Sequence, residues 1–272
     1  MFPIILQLPQ WNLTIRSYET MIVVAAIVVH WLAPRLDMRL EGIPPSTTRR
    51  VLLLLTVATF VGGRLHYVIN QWTLYAQNPM AAFRLQPGHF HAGGAVAGMA
   101  LAAPVIFRHY AIHPGRFADA LTPSIAIGMG IARVGCFLGG CCFGTVCHLP
   151  WCVSFPHGGG IYQHHASLGL LSAPEALRSL PVHPLQLYFV AADFLIAAVA
   201  LWMHPRRQYG GQVALVALAL FGASTAGLEF LREVYFPRDY WGSLPYLVWP
   251  ALGIFGLAAA LLVLTGSRRR VA

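Results

Sequence analysis

A chain of 272 residues that is 57% hydrophobic and only 10% charged cannot cover a water-soluble globule of its size, in which roughly 25% of residues are charged. The composition excludes an ordinary soluble domain and points to a bilayer as the solvent. All 18 basic residues are Arg and the net charge is +9, yet these charges fall between apolar runs, which assigns them to membrane orientation and argues against a nucleic-acid partner.

A helix needs roughly 20 mostly apolar residues to cross about 30 Å of hydrocarbon. Such runs lie near 15–33, 51–70, 91–108, 118–138, 183–203, 211–231 and 246–265. They predict an all-α integral membrane protein of about seven transmembrane helices. The first run is short and carries Arg16 and Glu19. No basic residue precedes Arg16 and no small-residue cleavage site follows cleanly, so this run reads as a span and not as a cleaved signal peptide.

The loops between these runs alternate in charge. Arg35, Arg39, Arg49, Arg50, Arg108, Arg116, Arg206, Arg207, Arg268, Arg269 and Arg270 share one side; Arg16, Arg84, Arg178, Arg232 and Arg238 share the other. Eleven against five puts the first set in the cytoplasm, with the N-terminus outside and the C-terminus cytoplasmic. Residues 1–272 read as a single polytopic membrane domain without repeats, with a long periplasmic loop at about 139–182. That loop carries Gly158-Gly159-Gly160, several Pro and four His, with Arg178 and Glu175 as its only charges. Its Trp, Phe and Tyr content predicts packing, and long loops that pack usually carry function.

Among the charges inside or at the ends of spans, four stand out: Arg64, Arg133, Asp193 and Glu229. A charge in hydrocarbon costs roughly 2.5 kcal/mol or more, so it faces a partner or a wet cavity. One reading is a set of interhelical ion pairs that fix helix rotation. The other, favoured by two Arg near one membrane face, is a cavity that holds an anionic headgroup by guanidinium forks. Arg133 lies in a stretch from Gly128 to Gly144 with six glycines. Such density weakens a helix interior unless the helix unwinds or another backbone or a ligand approaches closely. His89 and His91 stand at the entry to the third span, where they are either interface residues or proton carriers near neutral pH. His183-Pro-Leu-Gln-Leu-Tyr188 opens the fifth span with Pro in the first turn. All five cysteines, Cys136, Cys141, Cys142, Cys147 and Cys152, fall within 17 residues. Three readings stand for them: small packing residues, one or two disulfides tying the loop, or metal and redox chemistry helped by His148, His157, His164 and His165.

Together these segments resemble the prolipoprotein diacylglyceryl transferase family. Gly62-Gly-Arg-Leu-His-Tyr-Val68 is similar to its second-helix segment, and Asn78-Pro79 with Phe90-His-Ala-Gly-Gly94 to the loop and turn that follow. Arg133-Val-Gly-Cys-Phe-Leu-Gly-Gly-Cys-Cys-Phe-Gly144 resembles the signature Arg-x-Gly-Asn-Phe-x-Asn-x-Glu-x-x-Gly. His183–Tyr188 matches its His-Pro-x-Gln-Leu-Tyr-Glu motif, and Glu229-Phe-Leu-Arg232 its Glu-Phe-x-Arg.

The resemblance implies a seven-helix enzyme of the bacterial cytoplasmic (inner) membrane. The family moves diacylglyceryl from phosphatidylglycerol to the lipobox cysteine of an exported preprolipoprotein, giving a thioether and glycerol 1-phosphate. It implies catalytic roles for Arg133, His91 and Tyr18, and substrate binding by Arg64, Arg133, His183, Gln186, Tyr188, Glu229 and Arg232. No cofactor or metal is implied, and the cysteines are expected to be dispensable for the chemistry, since the nucleophile is the acceptor's own thiol. The chain departs from the pattern at several places. Cys136 replaces the signature Asn, and Gly139 and Cys141 stand near the expected Asn and Glu. Phe189 takes the place of the Glu after His183–Tyr188, with Asp193 one turn on. Thr225 replaces a sixth-helix Arg, and His91 aligns one residue away from the family His. These departures leave two alternatives: a related lipid transferase with another acceptor, and a membrane thiol–disulfide or metal-binding protein.

Overall fold

The computed structural model describes residues 4–8, 13–83, 89–157, 159–171, 177–233, 240–241 and 244–270. Arg84, Glu175 and Arg238, and the loop residues Pro87, Gly88 and Gly158, lie outside the described residues. An antiparallel hairpin of β1 (Ile4–Leu8) and β2 (Leu13–Arg16) precedes α1 (Ser17–Glu41). Then come α2 (Pro45–Asn70), α3 (Trp72–Gln77), a 3₁₀ turn (Pro79–Phe83), α4 (Ala92–His109) and α5 (Pro114–Gly139). The short α6 (Gly160–Ser167) belongs to the long loop, and α7 (Leu185–Met203) and α8 (Gln212–Glu229) follow. A second small hairpin, β3 (Tyr240–Trp241) with β4 (Leu244–Pro245), leads into α9 (Val248–Arg270).

Seven of these helices, α1, α2, α4, α5, α7, α8 and α9, are long and apolar enough to cross a membrane, in the order the apolar runs predict. The two hairpins are the strands the sequence reading did not anticipate, and both lie outside the spans. The expectation of a short first span is corrected: α1 runs 25 residues. Its apolar part ends near Leu32, but a helix stops where its backbone is turned, not where its side chains become polar. Here the turn comes at Gly42, in the left-handed region at φ 69°.

The chain divides into two compact units, Ala33–Phe117 and the remainder, and α1 and α5 each contribute to both. In the smaller unit α2 and α4 cross backbone to backbone. A Cβ on Gly62 would run into the Gly94 carbonyl and lie 2.8 Å from the Gly98 Cα. Asp37, fully buried, accepts a hydrogen bond from the Thr48 hydroxyl (2.8 Å), which ties the end of α1 to the start of α2.

In the larger unit the glycines of α5 serve the same purpose. A Cβ on Gly128 would meet Val29 at 2.5 Å, one on Gly135 would meet Met21 at 2.8 Å, and one on Gly130 would press on the Phe194 ring at 3.2 Å. The helix does not unwind among them; it is continuous to Gly139. Of the alternatives the glycines left open, close approach of neighbouring helices is the one observed. Asp119, also fully buried, accepts hydrogen bonds from the Gly211 and Ala214 N–H groups (2.8 and 2.9 Å), so a residue far away in sequence caps α8. The long loop packs on a core of its own, formed by Phe143, Phe155, Ile161 and Val182. This accords with its aromatic content.

If backbone contact is what holds α2 to α4, Gly62→Ala should be destabilised by about 1–3 kcal/mol. Gly256→Ala, in α9, where an added Cβ meets nothing within 4 Å, should be neutral or slightly stabilised. Thermal unfolding of both variants in the same detergent checks the contrast.

Candidate functional site

The C-terminal end of α5 is where most of the chemistry-bearing residues of the larger unit meet. The helix ends in a Schellman motif: the Gly140 N–H bonds the Phe137 carbonyl (3.3 Å), the Cys141 N–H bonds the Cys136 carbonyl (3.1 Å), and Gly140 is left-handed at φ 70°. That motif folds the residue two past the cap back over the residue three before it. Here those residues are Cys141 and Cys136. Cys142, itself left-handed at φ 58°, turns the chain again. As a result the sulfurs of Cys136, Cys141 and Cys142 all lie within 4.8 Å of one another. Cys142 lies beyond the end of α5. Hydrogen bonds from Cys136 and Cys141 hold its pKa well below the usual thiol range, aided by the Arg232 guanidinium.

Arg133 stands one turn before Cys136 on α5. Its guanidinium lies over the Phe189 ring, 4.3 Å from the centroid. Phe189 occupies the position at which the resemblance leads one to expect Glu, so a ring face takes the place of a carboxylate. Asp193, one turn further along α7, is 2% exposed and within electrostatic reach of Arg133, and its Oδ2 has no hydrogen-bond partner among the described residues. Tyr18, at the start of α1, sits within electrostatic reach of both Arg133 and the three thiols. It can do so because Gly135 and Gly139 leave room for it: an added Cβ on these would lie 3.3 Å from the Tyr18 carbonyl and 3.6 Å from its Cβ.

Gly144 draws the remaining motifs in. Its N–H bonds the His183 carbonyl (3.1 Å), the His183 N–H bonds the Thr145 carbonyl (3.0 Å), and the Thr145 N–H bonds the Leu231 carbonyl (2.8 Å). A Cβ on Gly144 would stand 2.6 Å from the His183 Cβ and 2.7 Å from the Leu231 carbonyl, so only glycine fits. Gln186 donates from Nε2 to the Cys141 carbonyl (2.6 Å), and its buried Oε1 has no partner among the described residues. The Tyr188 hydroxyl meets His183 Nδ1 (3.2 Å) and accepts from the Trp151 indole (2.8 Å). Glu229, 2% exposed, takes a bidentate bond from Arg232 at 2.6 and 2.7 Å. Burial works against the Arg232 charge, but the Glu229 carboxylate outweighs it and raises the guanidinium pKa above its ordinary value.

Arg64 and His91 belong to the smaller unit. Arg64 donates to three backbone carbonyls, Ala82 (2.9 Å), His89 (3.1 Å) and Ala81 (3.2 Å). It thereby organises the segment leading to α4. His91 precedes α4, and its N–H bonds the Gly63 carbonyl (3.1 Å). Its ring rests 5.0 Å from the His66 ring and 5.4 Å from that of Tyr67, which stacks on His89 at 4.8 Å.

Sequence reasoning missed Phe189 as the partner of Arg133, Trp151 as the support of Tyr188, and the convergence of three thiols. Only the last had a legible signal, a Gly139-Gly140 pair just past Cys136. The cysteine question resolves into one disulfide, Cys147–Cys152, and three free thiols.

The Glu229–Arg232 pair gives a test of this arrangement. Glu229→Gln, which leaves a half-buried guanidinium without its countercharge, should cost about 3 kcal/mol. Adding Arg232→Met should recover a large part of that loss, since the stranded charge is then removed. Unfolding midpoints of the two variants and the parent decide it.

Comparison with known proteins agrees with the motifs. The family model described as prolipoprotein diacylglyceryl transferase matches residues 3–264. A phosphatidylglycerol–prolipoprotein diacylglyceryl transferase of Mannheimia succiniciproducens is 30% identical, over 81% of this chain and 76% of that protein. Proteins with the same name from Clostridium tetani and Geobacter sulfurreducens are each 27% identical, the first over 85% of this chain and 86% of its own length, the second over 96% and 94%. The chain belongs to the prolipoprotein diacylglyceryl transferase family.

Proposed function

We propose that this chain transfers diacylglyceryl from phosphatidylglycerol to the lipobox cysteine of an exported preprolipoprotein, working as a single polytopic domain in the bacterial inner membrane. Arg133 carries the reading. Of the arginines the motifs bring forward, Arg64 is engaged by three backbone carbonyls and Arg232 by a carboxylate. Among the described residues no group accepts a hydrogen bond from the Arg133 guanidinium, which rests on a ring face. Its donors are therefore available to a phosphate, in a place where low dielectric strengthens them.

In this reaction the acceptor thiolate attacks the glyceryl carbon that bears the phosphate. The carbon–sulfur bond forms as the carbon–oxygen bond breaks, glycerol 1-phosphate departs, and the thiol proton passes to a base, the role for which the family resemblance puts forward His91. Arg133 meets the charge that builds on the departing phosphate. Tyr18 lies within electrostatic reach of Arg133, at a position suited to orient the headgroup. His183, Gln186 and Tyr188 offer polar groups for the glycerol hydroxyls, Arg232 is fixed by Glu229 beside them, and Arg64 holds the segment that carries His91. Transfer from the same donor to a different acceptor is a second reading, favoured by Thr225, whose buried hydroxyl has no partner among the described residues where the family carries an Arg.

The arginine distribution supports an N-terminus outside, a C-terminus in the cytoplasm and the 139–182 loop on the periplasmic side. The Cys147–Cys152 disulfide, which lies in that loop, suits an oxidising compartment.

Purified protein, phosphatidylglycerol and a lipobox peptide provide the direct assay. Arg133→Ala should slow thioether formation by about 100-fold or more while leaving expression and insertion unchanged, the equivalent of roughly 3 kcal/mol of barrier. Wild-type turnover would remove Arg133 from the mechanism, and phosphatidylglycerol consumption without peptide modification would favour the other acceptor. For orientation, Cys introduced at the exposed positions Arg178 and Arg206, with native cysteines replaced, should react differently. An impermeant maleimide should label position 178 in intact spheroplasts and leave position 206 untouched; the reverse pattern would invert the topology.

A further inference from the structure

We propose that Cys136, Cys141 and Cys142 bind one thiophilic d¹⁰ cation, Cu(I) or Zn(II), through three thiolates at the C-terminal end of α5. This goes beyond the transfer reaction and does not rest on it, because that reaction draws its nucleophile from the acceptor and uses none of these thiols.

The geometry is that of a ligand set. Three sulfurs around one ion at a metal–sulfur distance of about 2.3 Å stand about 4 Å apart if the arrangement is planar, and somewhat closer if it is pyramidal. The three sulfurs here are all within 4.8 Å of one another, so adjustment of side-chain torsions alone closes the site. The backbone has already made the larger adjustment. A non-glycine residue in the left-handed region is uncommon, and Cys142 adopts that conformation at φ 58°. The turn that results directs the third thiol to the other two.

The chemistry of the set narrows the ion. It contains no carboxylate and no imidazole, and an all-thiolate set selects soft ions over Mg(II), Ca(II) or Mn(II). Binding displaces the thiol protons to water, and the negative charge that remains is offset by Arg133 beside Cys136 and Arg232 beside Cys142. Cys136 is buried while Cys141 and Cys142 are half-buried, which leaves a side from which an ion enters. The neighbouring trio of Cys147, Cys152 and His183 is not a second such site, because its two sulfurs are bonded to each other.

The test uses the full chain in detergent under anaerobic conditions. Cu(I) is titrated against bicinchoninate and Zn(II) against a chromophoric chelator, with metal content measured after gel filtration. One equivalent of at least one of these ions should bind per chain. Cys136→Ser, Cys141→Ser and Cys142→Ser should each weaken binding at least tenfold, and His148→Ala, a change at an exposed loop histidine, should not. Because a serine variant can misfold, the parent protein is also treated with N-ethylmaleimide. Mass spectrometry should find all three thiols modified without metal and protected with it. The proposal is overturned if the parent binds neither ion stoichiometrically, if the three serine variants bind as the parent does, if metal leaves the thiols unprotected, or if the isolated protein holds a disulfide among them.

Discussion

The arrangement at the end of α5 depends on one contact: α1 lies against α5 with its backbone at the surface of a glycine-bearing helix. In hydrocarbon there is no hydrophobic gain from pushing apolar side chains together, so helices associate through close packing of small residues. Gly128 and Gly135 supply the space, and the start of α1 is thereby brought down onto the end of α5. Tyr18 reaches Arg133 only because of it. The smaller unit repeats the solution with Gly62, Gly94 and Gly98. Substituting a larger residue at any of these positions moves a helix and not merely a side chain, and everything displayed at the helix end moves with it.

Arg64, Arg133 and Arg232 show three ways of keeping a cation near a membrane. Arg232 is neutralised by a carboxylate, Arg64 is surrounded by carbonyl dipoles, and Arg133 is given a ring face. The first two arrangements satisfy the guanidinium and hold two chain segments together. The third supports the charge from one side and, among the described residues, leaves its hydrogen-bonding edge unmatched. A structural role is sufficient explanation for the first two and insufficient for the third.

Most of the fold was legible in the sequence because hydropathy measures the constraint that a bilayer imposes. Seven apolar runs became seven helices, and errors were confined to ends: α1 continues past its apolar part to Gly42, and short hairpins fill segments without a strong signal. Candidate site residues stand out in the sequence where their type is costly in a membrane, as with Arg133 and Glu229, or where a motif repeats a known order, as with His183–Tyr188. What escaped were residues whose role is relational. Phe189 reads as one more apolar residue of α7, and only the position of Arg133 above it gives it a function. Gly144 reads as one glycine among many until the His183 and Leu231 carbonyls are seen on either side of it. The convergence of Cys136, Cys141 and Cys142 follows from a helix cap, and a cap is set by backbone torsion more than by composition.

The incomplete coordination of Arg133 bears on what the resting protein is. A guanidinium with unmatched donors in a medium of low dielectric lowers its free energy by acquiring whatever anion can reach it, and in a bilayer the abundant anions are lipid phosphates. Asp193 lies within electrostatic reach, but it accepts no hydrogen bond from the guanidinium. If Arg133 receives the headgroup as proposed, the stable state between turnovers is a lipid-loaded one, and extraction by mild detergent would carry anionic phospholipid along with the chain. Exchange of one phospholipid for another, and not capture by a vacant protein, would then be the event that begins each cycle.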